Sequence, residues 1–165
     1  MIASIGYCSA ATLMGQAAID YATDASYCDV AIKARIAGIR PCEKDLFRRL
    51  LFNCAINNTD DHLRNHAFIR DSTGWRLSPV FDVVVGRGRR LVLRPAPGVS
   101  PATDVETALS AAPAFSLTSR QAIDIWEEMR FGLADLPGLV SRYELKQRDQ
   151  DIMTELAPTL AGFLT

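Results

Sequence analysis

Between Asn57 and Asp82 the chain concentrates side chains that bind cations, transfer protons and hydrogen-bond. Asn57, Asn58, Asp60, Asp61, His62, Asn65 and His66 fall within ten positions. Asn and Asp compete with the backbone for its own donors, so such a run makes a poor helix interior and a good functional loop. Asp60 and Asn65 are five residues apart, and Asp82 follows seventeen residues after Asn65. Phosphoryl transfer asks a protein for a carboxylate beside the attacking hydroxyl and for oxygen ligands that hold Mg²⁺ against the phosphates. Asp60 suits the first task. The amide oxygen of Asn65 and the carboxylate of Asp82 suit the second, with phosphate oxygens and water completing the metal's sphere.

These residues need a rigid mount. The preceding stretch, Leu46-Phe-Arg-Arg-Leu-Leu-Phe-Asn-Cys-Ala-Ile56, predicts a central helix beginning near Glu43. Leu46, Phe47, Leu50, Leu51, Cys54 and Ala55 keep the rhythm of a buried face, widened by Phe52 and Ile56. Glu43 and Asp45 suit the positive end of its dipole. After the polar loop, Ala67 to Arg70 and Trp75 to Ser78 flank Asp71-Ser-Thr-Gly74, the pattern of a β-hairpin. Since a hairpin returns its second strand beside its first, it can bring Asp82 back to Asn65.

The remaining segments predict a mainly helical chain. Met1 to Gln16 has no clear period and looks like a strand end and a loop; Asp20 to Ser26 is turn-like. Ser26 with Asp29 predicts a capped helix to about Ala37, closed by Gly38. Arg90 to Arg94 suggests a short strand, after a flexible basic loop at Gly86 to Arg90. Thr103 with Glu106 and Thr118 with Gln121 suggest two more capping boxes. Leu133 to Tyr143 and Gln147 to Leu164 complete a helical C-terminal third, with Pro137 and Pro158 as breaks or first-turn residues.

The 165 residues fit one domain, or one lobe of something larger, and 48% apolar residues are ample for a core. A formal charge of −1 supplies no field for nucleic acid, so direct binding through the Arg87 to Arg94 loop is not expected. The four cysteines, Cys8, Cys28, Cys42 and Cys54, include no C-x-x-C pair and are expected to be free thiols of a cytoplasmic protein. The apolar N-terminus lacks the basic flank of an export signal, and no apolar run approaches a membrane span.

Asp60 to Asn65 has the Asp-x-x-x-x-Asn spacing of a kinase catalytic loop. The wider wording is more specific. Phe52-Asn-x-x-Ile-x-Asn-Thr-Asp-Asp-His-Leu-Arg-Asn-His-Ala-Phe68, followed by Trp75-Arg-Leu-Ser-Pro-Val-Phe-Asp82, resembles the C-terminal lobe of HipA-type serine/threonine kinases of bacterial toxin–antitoxin systems. The resemblance implies a mainly α, protein-kinase-like C-terminal lobe over residues 1–165, with a small β-hairpin carrying the metal-binding Asp. It implies Asp60 as the catalytic carboxylate, Asn65 and Asp82 as Mg²⁺ and ATP ligands, and a protein Ser or Thr hydroxyl as substrate. His62 falls where many kinases place a phosphate-facing Lys, which implies a role toward phosphate or in orienting Asp60; the alternative is a loop cap. An antitoxin-like partner is implied as well.

The sequence departs from that pattern. It has no G-x-G-x-x-G, and its lysines are Lys33, Lys44 and Lys146. Val30-Ala-Ile-Lys33 spells a kinase nucleotide-lysine motif, but no glycine loop precedes it and the Ser26 cap argues for a helix there. The expectation is a C-lobe whose N-lobe is absent or sits on another polypeptide, or a catalytically incomplete remnant that binds proteins. A zinc site on His62 and His66 is a weaker alternative, because Leu63 occupies the Glu position of the metalloprotease motif. Asp61 is expected to point away from Asp60 as a structural acceptor or helix start. Asn57 and Asn58 are expected to satisfy loop backbone, and Trp75 and Phe81 to pack. The arginines from Arg87 to Arg94 either grip a phosphorylated or acidic partner or are simply solvated.

Overall fold

A computed structural model describes residues 6–16, 24–135, 138, 142–143 and 146–161, with side chains of the last helix to Leu156. Its elements are strand β1 (Gly6–Ser9), helices α1 (Ala10–Leu13), α2 (Tyr27–Ile36) and α3 (Glu43–Ala55), strands β2 (Ala67–Asp71) and β3 (Gly74–Leu77), and helices α4 (Val105–Ser110), α5 (Ser119–Leu133) and α6 (Gln147–Ala161). Short 3₁₀ turns occupy Leu63–Asn65 and Ala112–Phe115. Most of the Asp20 to Ser26 turn and half of Ala134 to Tyr143, Pro137 included, lie outside the described residues.

α3 is the axis of the core. Leu46, Phe47, Leu50, Leu51, Cys54 and Ala55 are each at most 1% exposed, so the predicted stripe is the buried one. Each large side chain among them contributes about 1.5–3 kcal/mol on burial. α2, α4 and α5 pack around α3, supplying Val30, Ala31, Ala108, Ile125 and Trp126 to the same cluster. α2 starts at the Ser26–Asp29 capping box and α5 at the Thr118–Gln121 box. Val30 to Lys33 is therefore helical, with Lys33 exposed.

The hairpin forms where expected, and its register sets Asp71 opposite Gly74 and Phe68 opposite Leu77. β1 adds a third antiparallel strand on the other side of β2, pairing Gly6 with Arg70 and Ser9 with Ala67. Phe68 is buried and Ser78 N–H donates to Ala67 O at 2.9 Å, which fixes where the chain leaves the hairpin toward Asp82.

Several expectations are corrected. Arg90 to Arg94 is not a strand, although Leu91 and Leu93 are buried in alternation. Its N–H groups go elsewhere: Leu91 to Pro101 O, Val92 to the Asp61 carboxylate and Arg94 to Ala25 O. α4 is capped by Asp104, which accepts from Glu106 and Thr107 N–H. Thr103 is engaged instead with Arg89 O and Gly88 O. α6 runs past Pro158 to Ala161, giving up a backbone hydrogen bond without ending. The four cysteines are free, and burial pushes the Cys42 and Cys54 thiols up to about 12. Among the described residues no helix is long and apolar enough to cross a membrane.

Candidate functional site

α3 ends at Ala55, and Asn57 turns the chain with φ of 52°, a left-handed conformation that Asn tolerates better than most residues. The next residues split into an inward set and an outward set. Asn58 points in and is 3% exposed; its Nδ2 donates to Asn53 Oδ1 at 3.0 Å. Asn53 Nδ2 donates to Tyr27 Oη at 2.7 Å, and Tyr27 Oη donates to Asp61 Oδ2 at 2.9 Å. The other oxygen of Asp61 accepts Val92 N–H at 2.6 Å. The His66 ring stands edge-on to Tyr27, with centroids 5.0 Å apart, and its Nε2 lies 3.2 Å from Asp61 O. Since a carbonyl only accepts, Nε2 carries the proton.

Burial governs the ionisation of this set. It pushes the Asp61 carboxyl up to about 6, against hydrogen bonds from Val92 and Tyr27 that pull it down. It raises the Tyr27 phenol, with the Asp61 charge adding to the effect. It lowers His66 to about 3, helped by the Arg49 charge. Nδ1 of His66 is buried and has no hydrogen-bond partner among the described residues, so a second proton there would find no acceptor among them. Asp61 is thus a structural acceptor, as expected, but starts no helix; it ties the loop to α2 and to the Val92 segment.

The outward set is different. Asp60 is exposed, and His62 Nε2 lies 3.4 Å from its Oδ1. That places His62 where it can orient Asp60. Asn65, on the 3₁₀ turn, donates its Nδ2 to Asp60 O at 2.6 Å, so the amide is held by its nitrogen end, and among the described residues nothing takes its oxygen. Asp82 has φ of 53° and an exposed side chain. Among the described residues no hydrogen bond or ion pair engages its carboxylate. Asn65 and Asp82 line one narrow cleft, with Asn58, Asp61 and His66 in its wall; Asp60 is not part of that lining. His62 and His66 do not form a zinc pair, because His66 Nε2 is spent on Asp61 O and its Nδ1 is buried. Among the described residues no three His, Cys, Asp or Glu side chains cluster as a metal site. An amide oxygen with one carboxylate is instead a hard-cation pair that leaves most positions to water and phosphate, as Mg²⁺ prefers.

The loop after Asp82 is held against this site, not flexible as its composition suggests. Gly86 N–H donates to Ile56 O at 3.2 Å, and a Cβ on Gly86 would sit 2.8 Å from Asn57 O. A Cβ on Gly88 would meet the Thr59 side chain at 2.4 Å. Arg87 forms a two-pronged ion pair with Glu155 of α6, at 2.6 and 2.7 Å. Tyr27, Asn53 and Arg49 were not evident as site residues in the sequence. The available signal was two polar residues, Arg49 and Asn53, four apart within an apolar helix.

A family model for the HipA-like C-terminal domain matches residues 3–135. Among solved structures, the fold is similar to a chain of the HipA, HipB and operator DNA complex of the Shewanella oneidensis MR-1 toxin–antitoxin system, with a TM-score of 0.70 at 13% identity. That match covers 94% of this chain and 42% of the other, so the chain spans less than half the length of its solved relative. No curated protein matches.

Proposed function

The chain belongs to the family of HipA-like C-terminal domains, and from that premise we propose that it is the C-lobe of a Mg²⁺-dependent serine/threonine protein kinase of toxin–antitoxin type. In this reading Asp60 accepts the proton of a protein hydroxyl as that oxygen attacks the γ-phosphate of ATP, and His62 holds the Asp60 carboxylate in place. Asn65 and Asp82 hold Mg²⁺, which when bound neutralises charge on the phosphate oxygens. The observation that supports this most is the fastening of Asn65 by its nitrogen to Asp60 O, in the same cleft as an Asp82 carboxylate that no hydrogen bond or ion pair engages among the described residues. The solved relative is a complex with HipB and operator DNA; by analogy, the partners proposed here are an antitoxin protein and a complementary N-lobe carrying the nucleotide lysine.

The test is transfer of radiolabelled phosphate from ATP to a protein substrate, or to the chain itself, once a complementary N-lobe is supplied. Mg²⁺-dependent labelling that disappears in Asp60→Ala supports the reading. A folded complex that transfers nothing counts against it. A second reading, a protein-binding remnant, is favoured by the placement of Lys33 on the exposed face of α2. Calorimetry distinguishes it: partner binding with no Mg²⁺·ATP binding by the reconstituted complex favours the remnant.

A further inference from the structure

α3 buries an arginine on its apolar side. Arg49 is 8% exposed and reaches Ser78 O through Nη2. Among the described residues nothing hydrogen-bonds its Nη1, which is buried. A carbonyl partner does not neutralise a guanidinium, and a buried, uncompensated charge is costly. Burial accordingly lowers the Arg49 pKa, opposed in part by the charge of Asp45 one turn earlier, which is exposed and lines the same groove as Arg49. Arg49 lines a groove of about 620 Å³ between α3, the segment after β3, and α5. Phe52, Leu77, Val80, Val83 and Met129 form its walls. The neighbouring Arg48 is already paired with Glu128, so the unanswered positive charge belongs to Arg49.

We infer that this groove docks a segment of a partner polypeptide that presents a carboxylate among bulky apolar side chains, with the carboxylate meeting Arg49. The apolar walls match the flanking side chains, and the Arg49 guanidinium, with Nη2 already donating to Ser78 O, favours a charge-assisted hydrogen bond to a carboxylate. A polypeptide fits better than a small ligand because the apolar surface continues beyond the groove. Phe81 is 37% exposed and Val84 52%, and neither lines the groove; a small molecule seated in the groove would leave both wet. In the solved relative, more than half of the chain lies outside the matched region, so there the domain shares its chain with ample further polypeptide. The groove adjoins the Asn65–Asp82 cleft and shares Arg49, Phe52, Val80 and Val83 with it, while Asp60, Asn65 and Asp82 do not line the groove; peptide docking and phosphoryl transfer are therefore read by separate measurements.

The test uses arrays of short peptides with Glu fixed at the centre and Leu, Val, Phe or Met around it, paired with the same peptides carrying Gln. The expected result is a preference of the whole chain for Glu over Gln of about tenfold or more, as a charge-assisted hydrogen bond supplies. Arg49→Met erases that preference. Val80→Asp, at a half-exposed position that the fold does not depend on, weakens binding of the Glu peptides more than of the Gln peptides, and it serves if Arg49→Met fails to fold. Absence of a Glu preference in the wild-type chain overturns the inference, as does a preference that survives both substitutions.

Discussion

Asp60 and Asp61 are the same side chain at adjacent positions, and the structure gives them opposite surroundings. Asp61 is 1% exposed and accepts from Tyr27 and Val92. Asp60 is exposed, with His62 beside its carboxylate and Asn65 on its carbonyl. The inward set, Tyr27, Asn53, Asn58, Asp61 and His66, spends its hydrogen-bonding capacity on holding the loop. In the outward set, Asp60 pairs with His62, while among the described residues nothing engages the Asn65 side-chain oxygen or the Asp82 carboxylate. A dense polar loop needs both: one group of polar residues fixes the backbone so that its neighbours can face a ligand with little loss of precision.

The contrast can be broken most forcefully at Asp61. Asp61→Ala leaves the Tyr27 hydroxyl and the Val92 N–H without their acceptor, and is expected to cost about 3 kcal/mol, read as a lowered midpoint in urea unfolding. Gly86→Ala comes next. Its Cβ would press on the Asn57 carbonyl, and a cost of about 2 kcal/mol follows from overpacking; thermal unfolding measures it, and an unchanged Tm means the loop yields more easily than the contact suggests.

The third prediction concerns pH. Folding raises Asp61 to about 6 and lowers His66 to about 3. Between about pH 4 and 6 the folded chain holds a proton on Asp61 that the unfolded chain lacks, and lacks one on His66 that the unfolded chain holds. The two counts cancel, so this pair leaves stability nearly flat across that window. Asp61→Asn removes one side of the balance. His66 then acts alone: its contribution is intact above the unfolded value and is lost as pH falls toward about 3. The variant should therefore lose up to about 1.4 kcal/mol per pH unit below pH 6 relative to wild type. Parallel stability curves for the two proteins would show that Asp61 and His66 are not linked to folding in this way.

The smallest effects on stability are expected in the outward set. Asp60→Ala and Asp82→Asn should shift unfolding by no more than about 0.5 kcal/mol, with Asp82→Asn slightly favourable when no metal is present. In a reconstituted kinase, Asp60→Ala should lower phosphoryl transfer on the order of a thousandfold. Either variant unfolding would identify its residue as structural.

The residues of the outward set were legible because their spacing and the words around them are specific, and the α3 stripe was legible because one helical face is apolar without interruption. The sheet was legible only in part. The hairpin announces itself through Asp71-Ser-Thr-Gly74, whereas β1 pairs with a strand about sixty residues away, a distance that no local pattern encodes. Arg90 to Arg94 misled because its alternation is real: Leu91 and Leu93 are buried, but backbone donors are claimed by a side chain and two loop carbonyls before any strand can pair with them. Asp61 was recognisable as an acceptor, yet its partner Tyr27 lies thirty-four residues earlier. The composition of Gly86-Arg-Gly88 signals flexibility, while in the structure the missing side chains permit close packing on Asn57 and Thr59.

The central claim is that Asn65 and Asp82 share one divalent ion. Mn²⁺, as a paramagnetic stand-in for Mg²⁺, can be titrated with ATP into the reconstituted complex while the Asn65 side-chain amide and the Asp82 backbone amide are followed by NMR. The account predicts that these two signals broaden first and together, and that Asp82→Asn removes the effect on Asn65. Broadening centred elsewhere, or broadening of Asn65 that is indifferent to Asp82→Asn, would contradict it.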